Sequence, residues 1–214
     1  MAGQLLTLDD LHQDSFNQDV GVFMDHGKLF KANREGRLFV ARSDVAGIAL
    51  IVSAATGGHP TLWNKASSKY DLNVVKLELG YVSGNNAPTS LQWAYTKNAS
   101  DGPGVLFPIK TATLVAVESG VPGENADDPD VNWSPTTNTF LAAPTYYKTA
   151  GVSLFTGVAA TAVAPFQLSA NYDGEIVLRP GVALSLCAVA ATTTALFQIA
   201  ITYEKVLRRN PISL

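Results

Sequence analysis

The stretch from Tyr146 to Tyr203 carries only four charged side chains, Lys148, Asp173, Glu175 and Arg179. The rest is mostly Ala, Val, Leu, Ile, Thr and Phe, broken by Asp173-Gly174 and Pro180-Gly181. A strand with one wet face alternates apolar with polar residues, whereas a strand covered on both faces does not. Small apolar and hydroxylated residues on both faces therefore predict strands covered on both sides, by the rest of the fold or by another copy of the chain.

Composition narrows the function classes. At 214 residues the chain fits one large all-β domain or two small ones. Its net charge of −3 gives no electrostatic pull toward nucleic acid, and no nucleic-acid partner is expected. Only 15% of residues are charged, against about 25% in ordinary soluble domains. The single cysteine, Cys187, excludes an internal disulfide and any Cys-based zinc site. It sits in Leu184-Ser-Leu-Cys-Ala-Val189, which predicts a buried, inert thiol. The segment Met1–Asp10 lacks the basic start and apolar core of a signal peptide. No apolar run reaches the about 18 positions of a membrane span, so a chain made in the cytoplasm and kept soluble is expected.

Charge divides the chain. Residues 1–44 hold seven acidic and five basic side chains, and we take them as an N-terminal arm and opening hairpin ahead of a sandwich domain over 45–214. Thr7-Leu-Asp-Asp10 approximates a capping box and predicts a short helix over about 8–18. Val20–Phe30 reads as a hairpin turning near His26-Gly27, and Arg37–Arg42 as a strand. Beyond it, strands are predicted over Ala46–Ser53, Leu72–Tyr81, Ser90–Asn98, Val105–Val117 and Leu196–Glu204. In the last, Phe197, Ile199, Ile201 and Tyr203 share a face, with Gln198, Thr202 and Glu204 opposite. Residues 118–139, rich in Pro and acids with no Lys or Arg, read as a long exposed loop. Asn171–Glu175 predicts a tight Asp-Gly hairpin, and Arg179-Pro-Gly-Val182 a type II turn. Such spacing with little helix signals an all-β fold, a β-sandwich or jelly roll. One internal echo is present: Ala159-Ala-Thr-Ala-Val-Ala-Pro-Phe-Gln167 and Ala190-Ala-Thr-Thr-Thr-Ala-Leu-Phe-Gln198, read as similar strand edges in one sandwich.

Chemistry is sparse. His12, His26 and His59 form no metal or hydrolase motif, no G-x-S-x-G elbow or phosphate loop is present, and His59 beside Pro60 reads as a loop residue. No catalytic residue and no cofactor is expected. Glu124, Asp127, Asp128 and Asp130 are the one cluster of hard oxygen ligands. Their spacing lacks the EF-hand pattern, so a solvated acidic loop is the expectation over a bound cation. Trp63, Trp93, Trp133, Tyr146 and Tyr147 suit either a sugar-stacking surface or core and interface anchors.

Several segments are familiar in combination: Glu35–Ala41, Pro60-Thr-Leu-Trp-Asn64, Leu79–Gly84, Ala164–Leu168, Tyr172–Leu186 and Thr194–Glu204. Over about 35–205 they resemble virion structural proteins of tailed bacteriophages. The resemblance implies a jelly-roll-like sandwich that forms a homotrimer, often as a decoration (cement) protein on the capsid surface. Its partners would be copies of itself and the phage major capsid protein, with no membrane partner. It would stabilise the shell against internal pressure. Contacts are expected from the N-terminal region (Leu11, Phe16, Phe23, Phe30), the second face of the last strand (Leu196, Gln198, Thr202) and the basic tail (Arg208, Arg209). The competing readings are a tail-fibre or baseplate component binding host glycan, a polysaccharide hydrolase, and the major capsid protein itself.

Overall fold

The computed structural model describes residues 29–84, 89–97, 109–112, 115–122, 124, 127–136, 138–140, 142–153, 167–190 and 195–208. Twelve strands follow in order: β1 Leu38–Arg42, β2 Thr61–Asn64, β3 Tyr70–Ser83, β4 Thr89–Lys97, β5 Ile109–Ala112, β6 Glu118–Ser119, β7 Val131–Ser134, β8 Asn138–Phe140, β9 Thr145–Ser153, β10 Gln167–Leu178, β11 Val182–Ala188 and β12 Leu196–Leu207. They form two five-stranded antiparallel sheets, β10-β3-β12-β1-β6 (sheet A) and β7-β2-β11-β4-β9 (sheet B), with a separate β5–β8 pair. With β5 to β8 set aside, every consecutive strand crosses from one sheet to the other except β4 and β9, which pair within sheet B. The pairs β1·β12, β2·β11, β3·β10 and β4·β9 form one folded ribbon. That wrap is a jelly roll. Residues 98–144, between β4 and β9, are an insertion that supplies β5 to β8.

The core fills the space between the sheets. Leu72, Val74, Leu77 and Leu79 of β3 meet Phe197, Ile199, Ile201 and Tyr203 of β12, facing Leu62, Leu91, Trp93, Leu184 and Leu186 of sheet B. Trp93 Nε1 donates to Tyr172 Oη at 2.8 Å, a hydrogen bond that ties the two sheets together. The face-to-face alternation along β3 changes phase at Val75. Tyr203 pairs with Val74 and Thr202 with Lys76, so Val75 is a bulge that moves the inward set from even to odd positions.

Opposite that bulge lies a larger one. Asn171 pairs with Lys76 and Ile176 with Val74, leaving Tyr172–Glu175 against Val75 alone. Asp173-Gly174 is therefore not a hairpin but a bulge inside one long strand. Gly174 has φ +98°, and a bulge uses the same left-handed freedom as a hairpin turn. The excursion turns the Tyr172 ring inward to Trp93. Pro180-Gly181 does form the expected turn, with Gly181 at φ +83° and the Val182 N–H on the Arg179 carbonyl at 3.1 Å.

Three other expectations need correction. Ala46–Ser53 is not a strand but a connection touching the sheets through single bridges at Ile48 and Val52. Leu29 and Phe30 begin a helical segment over 29–34 instead of the second arm of a hairpin; the rest of that hairpin, and the helix expected over 8–18, lie outside the described residues. Of Val105–Val117 only Ile109–Ala112 is a strand among the described residues.

The 118–139 segment is not a free loop either. It contributes β6 to the edge of sheet A and β7 to the edge of sheet B, with Trp133 fully buried. Two of its acids, Asp128 and Asp130, are anchored. Lys205 Nζ bridges Asp128 Oδ1 at 2.6 Å and Asp130 Oδ2 at 2.8 Å, and the Tyr203 hydroxyl donates to Asp128 Oδ2 at 3.2 Å. The Asp128 side chain is 0% exposed and that of Lys205 11%. Burial alone would lower the Lys205 pKa, but the two carboxylates outweigh it and the ammonium is held charged. The segment lacked an internal cation, and β12 supplies one from 75 residues away. Lys205→Met should strand the Asp128 charge and cost about 3–5 kcal/mol in urea denaturation, with much of the loss recovered in Lys205→Met/Asp128→Asn.

Candidate functional site

Three places in the fold gather side chains able to do something. The first is interior. Strand β11 is buried on both faces from Ala183 to Ala188. Its inner face meets the core, and its outer face is covered by the β5–β8 pair through Phe140, which packs on Ala183 and Trp63. Polar groups trapped under this cover satisfy one another. Asn138 Oδ1 accepts the His59 N–H at 3.2 Å, its Nδ2 donates to Thr61 Oγ1 at 3.2 Å, and Thr61 and Ser185 hydroxyls pair at 2.9 Å.

Within that layer Cys187 Sγ lies 3.4 Å from His59 Nδ1, a contact the sequence did not reveal because 128 residues separate the pair. His59 Nε2 faces the Ala55 carbonyl at 3.0 Å. A carbonyl only accepts, so Nε2 carries the proton and Nδ1 accepts from the thiol. Both residues are 0% exposed. Desolvation pushes the thiol up to about 12, leaving about one in 10⁵ ionised at neutral pH, and lowers the His59 pKa. The Cys–His pair is neutral and sealed beneath the cover. The expected burial of the Cys187 thiol is what the structure has.

The second place is the outer face of sheet A, where β10, β3, β12 and β1 lay out a grid. Its rows are Gln167-Gly80-Gln198, Ser169-Glu78-Ala200-Arg42 and Asn171-Lys76-Thr202-Val40. Gln198 is exposed and Thr202 half-buried, so two of the expected contact residues share this face. It is more polar than β12 alone suggests, because β3, β1 and β6 add Lys76, Glu78, Arg42 and Glu118. Those charges pair locally: Lys76 with Glu78 at 2.7 Å, and Arg42 Nε with Glu118 at 2.9 Å. Around Gly80 and Ala200 the face dips into a hollow of about 690 Å³.

The third place is lateral. On one side of the sandwich β6 and β7 extend the sheets beyond β1 and β2. On the other, β9 and β10 end their sheets, and among the described residues no strand pairs with their outer edges. Here Tyr146 is 55% exposed, Tyr147 47% and Val177 50%. A groove of about 260 Å³, lined by Tyr95, Tyr147, Ile176, Leu178, Val182 and Leu184, runs between the edges. Tyr147 sits in a bulge of β9 and stands edge-on to Tyr95 at 6.2 Å.

The other expected positions disperse. Trp93 and Trp133 are fully buried and Trp63 is half-buried, so the tryptophans are core and not a sugar-stacking surface. Phe30 is half-buried in the helical segment, under the Arg34 guanidinium. Leu196 is half-buried at the start of β12; Arg208 is exposed, its N–H on the Lys69 carbonyl at 3.1 Å. Leu11, Phe16, Phe23 and Arg209 lie outside the described residues. Among the described residues no three His, Cys, Asp or Glu side chains are arranged to hold a metal ion, and no helix is long and apolar enough to cross a membrane. Of the acidic cluster, Glu124, which accepts from Ser119, and Asp127 are exposed as a solvated loop requires, whereas Asp128 and Asp130 are committed to Lys205.

No family model matches the chain, and comparison with curated proteins and with solved structures finds no match either.

Two measurements check the sealed pair. Cys187 should be inert to iodoacetamide at pH 8 in the native chain and react fully once it is unfolded; rapid native labelling would contradict the burial. His59 takes up a proton less readily folded than unfolded, so its contribution is complete above the ordinary histidine value of 6.5 and is lost as pH falls below it. The melting temperature should drop across that window, with a shallower drop in His59→Gln.

Proposed function

We propose that the protein is a structural, self-associating component of a tailed-bacteriophage particle: a capsid decoration protein that trimerises on the head surface and stabilises the shell. The observation that carries this reading is the open β9–β10 side. An edge bearing unpaired backbone groups and large exposed apolar side chains invites another chain, and soluble proteins ordinarily blunt such edges with charge, proline or a cover. Lys148, ion-paired with Glu175, is the guard at this edge. The opposite side ends in the short strands β6 and β7, with Val115 bridged to Trp133 of β7, so among the described residues β9 and β10 are the long edges open to another copy. A ring needs two different patches that meet head to tail, and the β9 edge of one copy against the β10 edge of the next would supply them.

Support also comes from the resemblance over about 35–205 and from the jelly roll itself, an architecture shared by capsid and lectin domains. Fold alone does not assign function, so the edge and not the wrap bears the weight. The one Cys–His pair is sealed under its cover, which is what a scaffold role allows.

Size-exclusion chromatography with light scattering at micromolar concentration should give three times the 22.6 kDa chain mass. Tyr147→Glu combined with Val177→Lys should yield folded monomers that no longer bind expanded phage heads. A monodisperse wild-type monomer without affinity for expanded heads would sink the reading.

A further inference from the structure

The two copies of the internal echo end in Phe-Gln, and the fold gives that coincidence a place. Gln167 opens β10 and Gln198 lies near the start of β12. Both strands run antiparallel to β3, and both glutamines register on the same residue, Gly80. Residues directly opposite in a ladder share a face, so the two amides stand on either side of Gly80, about 10 Å apart at two strand spacings. Gly80 leaves a gap one strand wide between them. A Cβ built there meets nothing within 4 Å, so no packing demand explains the glycine.

Around this gap lie Glu78, Ala200, Arg42 and Ser43, with Val45, 77% exposed, as an apolar ridge. Gln198 Nε2 donates to the Val45 carbonyl at 3.0 Å, so the chain itself orients that amide and leaves Oε1 as the atom it offers. The charges are already spent: Arg42 is paired with Glu118 and Glu78 with Lys76, so the hollow has no net charge for an ionic ligand. The β3 backbone at its centre is spent as well, because β3 is laddered to β10 on one side and β12 on the other here. The Ser43 hydroxyl accepts from the Ile199 N–H at 2.9 Å and donates to the Asp44 carbonyl at 3.3 Å, so only side-chain amides and small apolar surfaces are left to recognise anything.

We propose that the Gln167–Gly80–Gln198 hollow is a binding site for a neutral saccharide unit. Hydroxyls are donors and acceptors at once and match side-chain amides without needing charge. The C–H face of a sugar ring rests on Val45 and Ala200. A second copy of the chain fits less well, since subunit contacts draw on aromatic and apolar anchors, which this hollow lacks and the β9–β10 edge has. The site is independent of how copies associate.

A glycan array printed with neutral and sialylated oligosaccharides, probed with the full chain, is the test, followed by calorimetric titration with the strongest neutral hit. Neutral glycans should be retained. Gly80→Val fills the gap without strain, and it and Gln198→Ala should each weaken binding at least tenfold, with melting temperature and oligomeric state unchanged. Retention of no glycan, or of sialylated glycans only, overturns the proposal, as does affinity indifferent to both substitutions. A changed oligomeric state in Gly80→Val also overturns it, by making the hollow an interface between copies.

Discussion

Strand β11 has no face in water, and most of the architecture follows from that. Its inner side chains, Leu184, Leu186 and Ala188, need a second sheet; its outer ones, Ala183, Ser185 and Cys187, need a roof. A two-sheet sandwich supplies only the first, so the insertion between β4 and β9 has to supply the second. Placing a roof over a strand traps whatever polar groups lie beneath it, and each costs on the order of 1–3 kcal/mol if unpaired. Asn138 meets that cost almost alone, bonding His59, Thr61 and Ser134 from one side chain.

The same insertion shapes the outside. Having crossed the face of sheet B, it extends both sheets on one flank, and the Asp128–Lys205 bridge holds it there. Among the described residues, one flank thereby ends in the short strands β6 and β7, the other ends in the long strands β9 and β10, and nothing covers the outer face of sheet A. Interior anchoring and exterior asymmetry thus have one origin, a single excursion of about forty-five residues between two strands of the ribbon.

Much of this was legible in the sequence. Alternation located β3 and β12 because each has a wet side, and Pro180-Gly181 marked its turn because proline and glycine act locally. What escaped notice is non-local. The acids of 118–139 looked solvated because Lys205 and Tyr203 are remote in sequence. Asp173-Gly174 signals positive φ in a bulge and a hairpin alike, and only the ladder resuming at Ile176 separates them. The covered face of β11 was foreseen, but its occupant was not, since Ala, Ser and Cys read the same under an insertion as under a neighbour. The echo ending at Gln167 and Gln198 was visible; that both meet Gly80 depends on register, which no single strand carries.

The pairing of β1 with β12 fixes how the molecule bears load. Arg37 and Lys205 meet at one end of that ladder, the Lys205 N–H on the Arg37 carbonyl at 2.8 Å. Tension applied between the chain before β1 and the chain after β12 would peel the two strands apart one hydrogen bond at a time, the weakest way to strain a ladder. Tension entering through the flank or the face of a sheet would instead be shared among many bonds in shear. A jelly roll closed in this way resists being stretched across its surfaces far better than being drawn out by its ends.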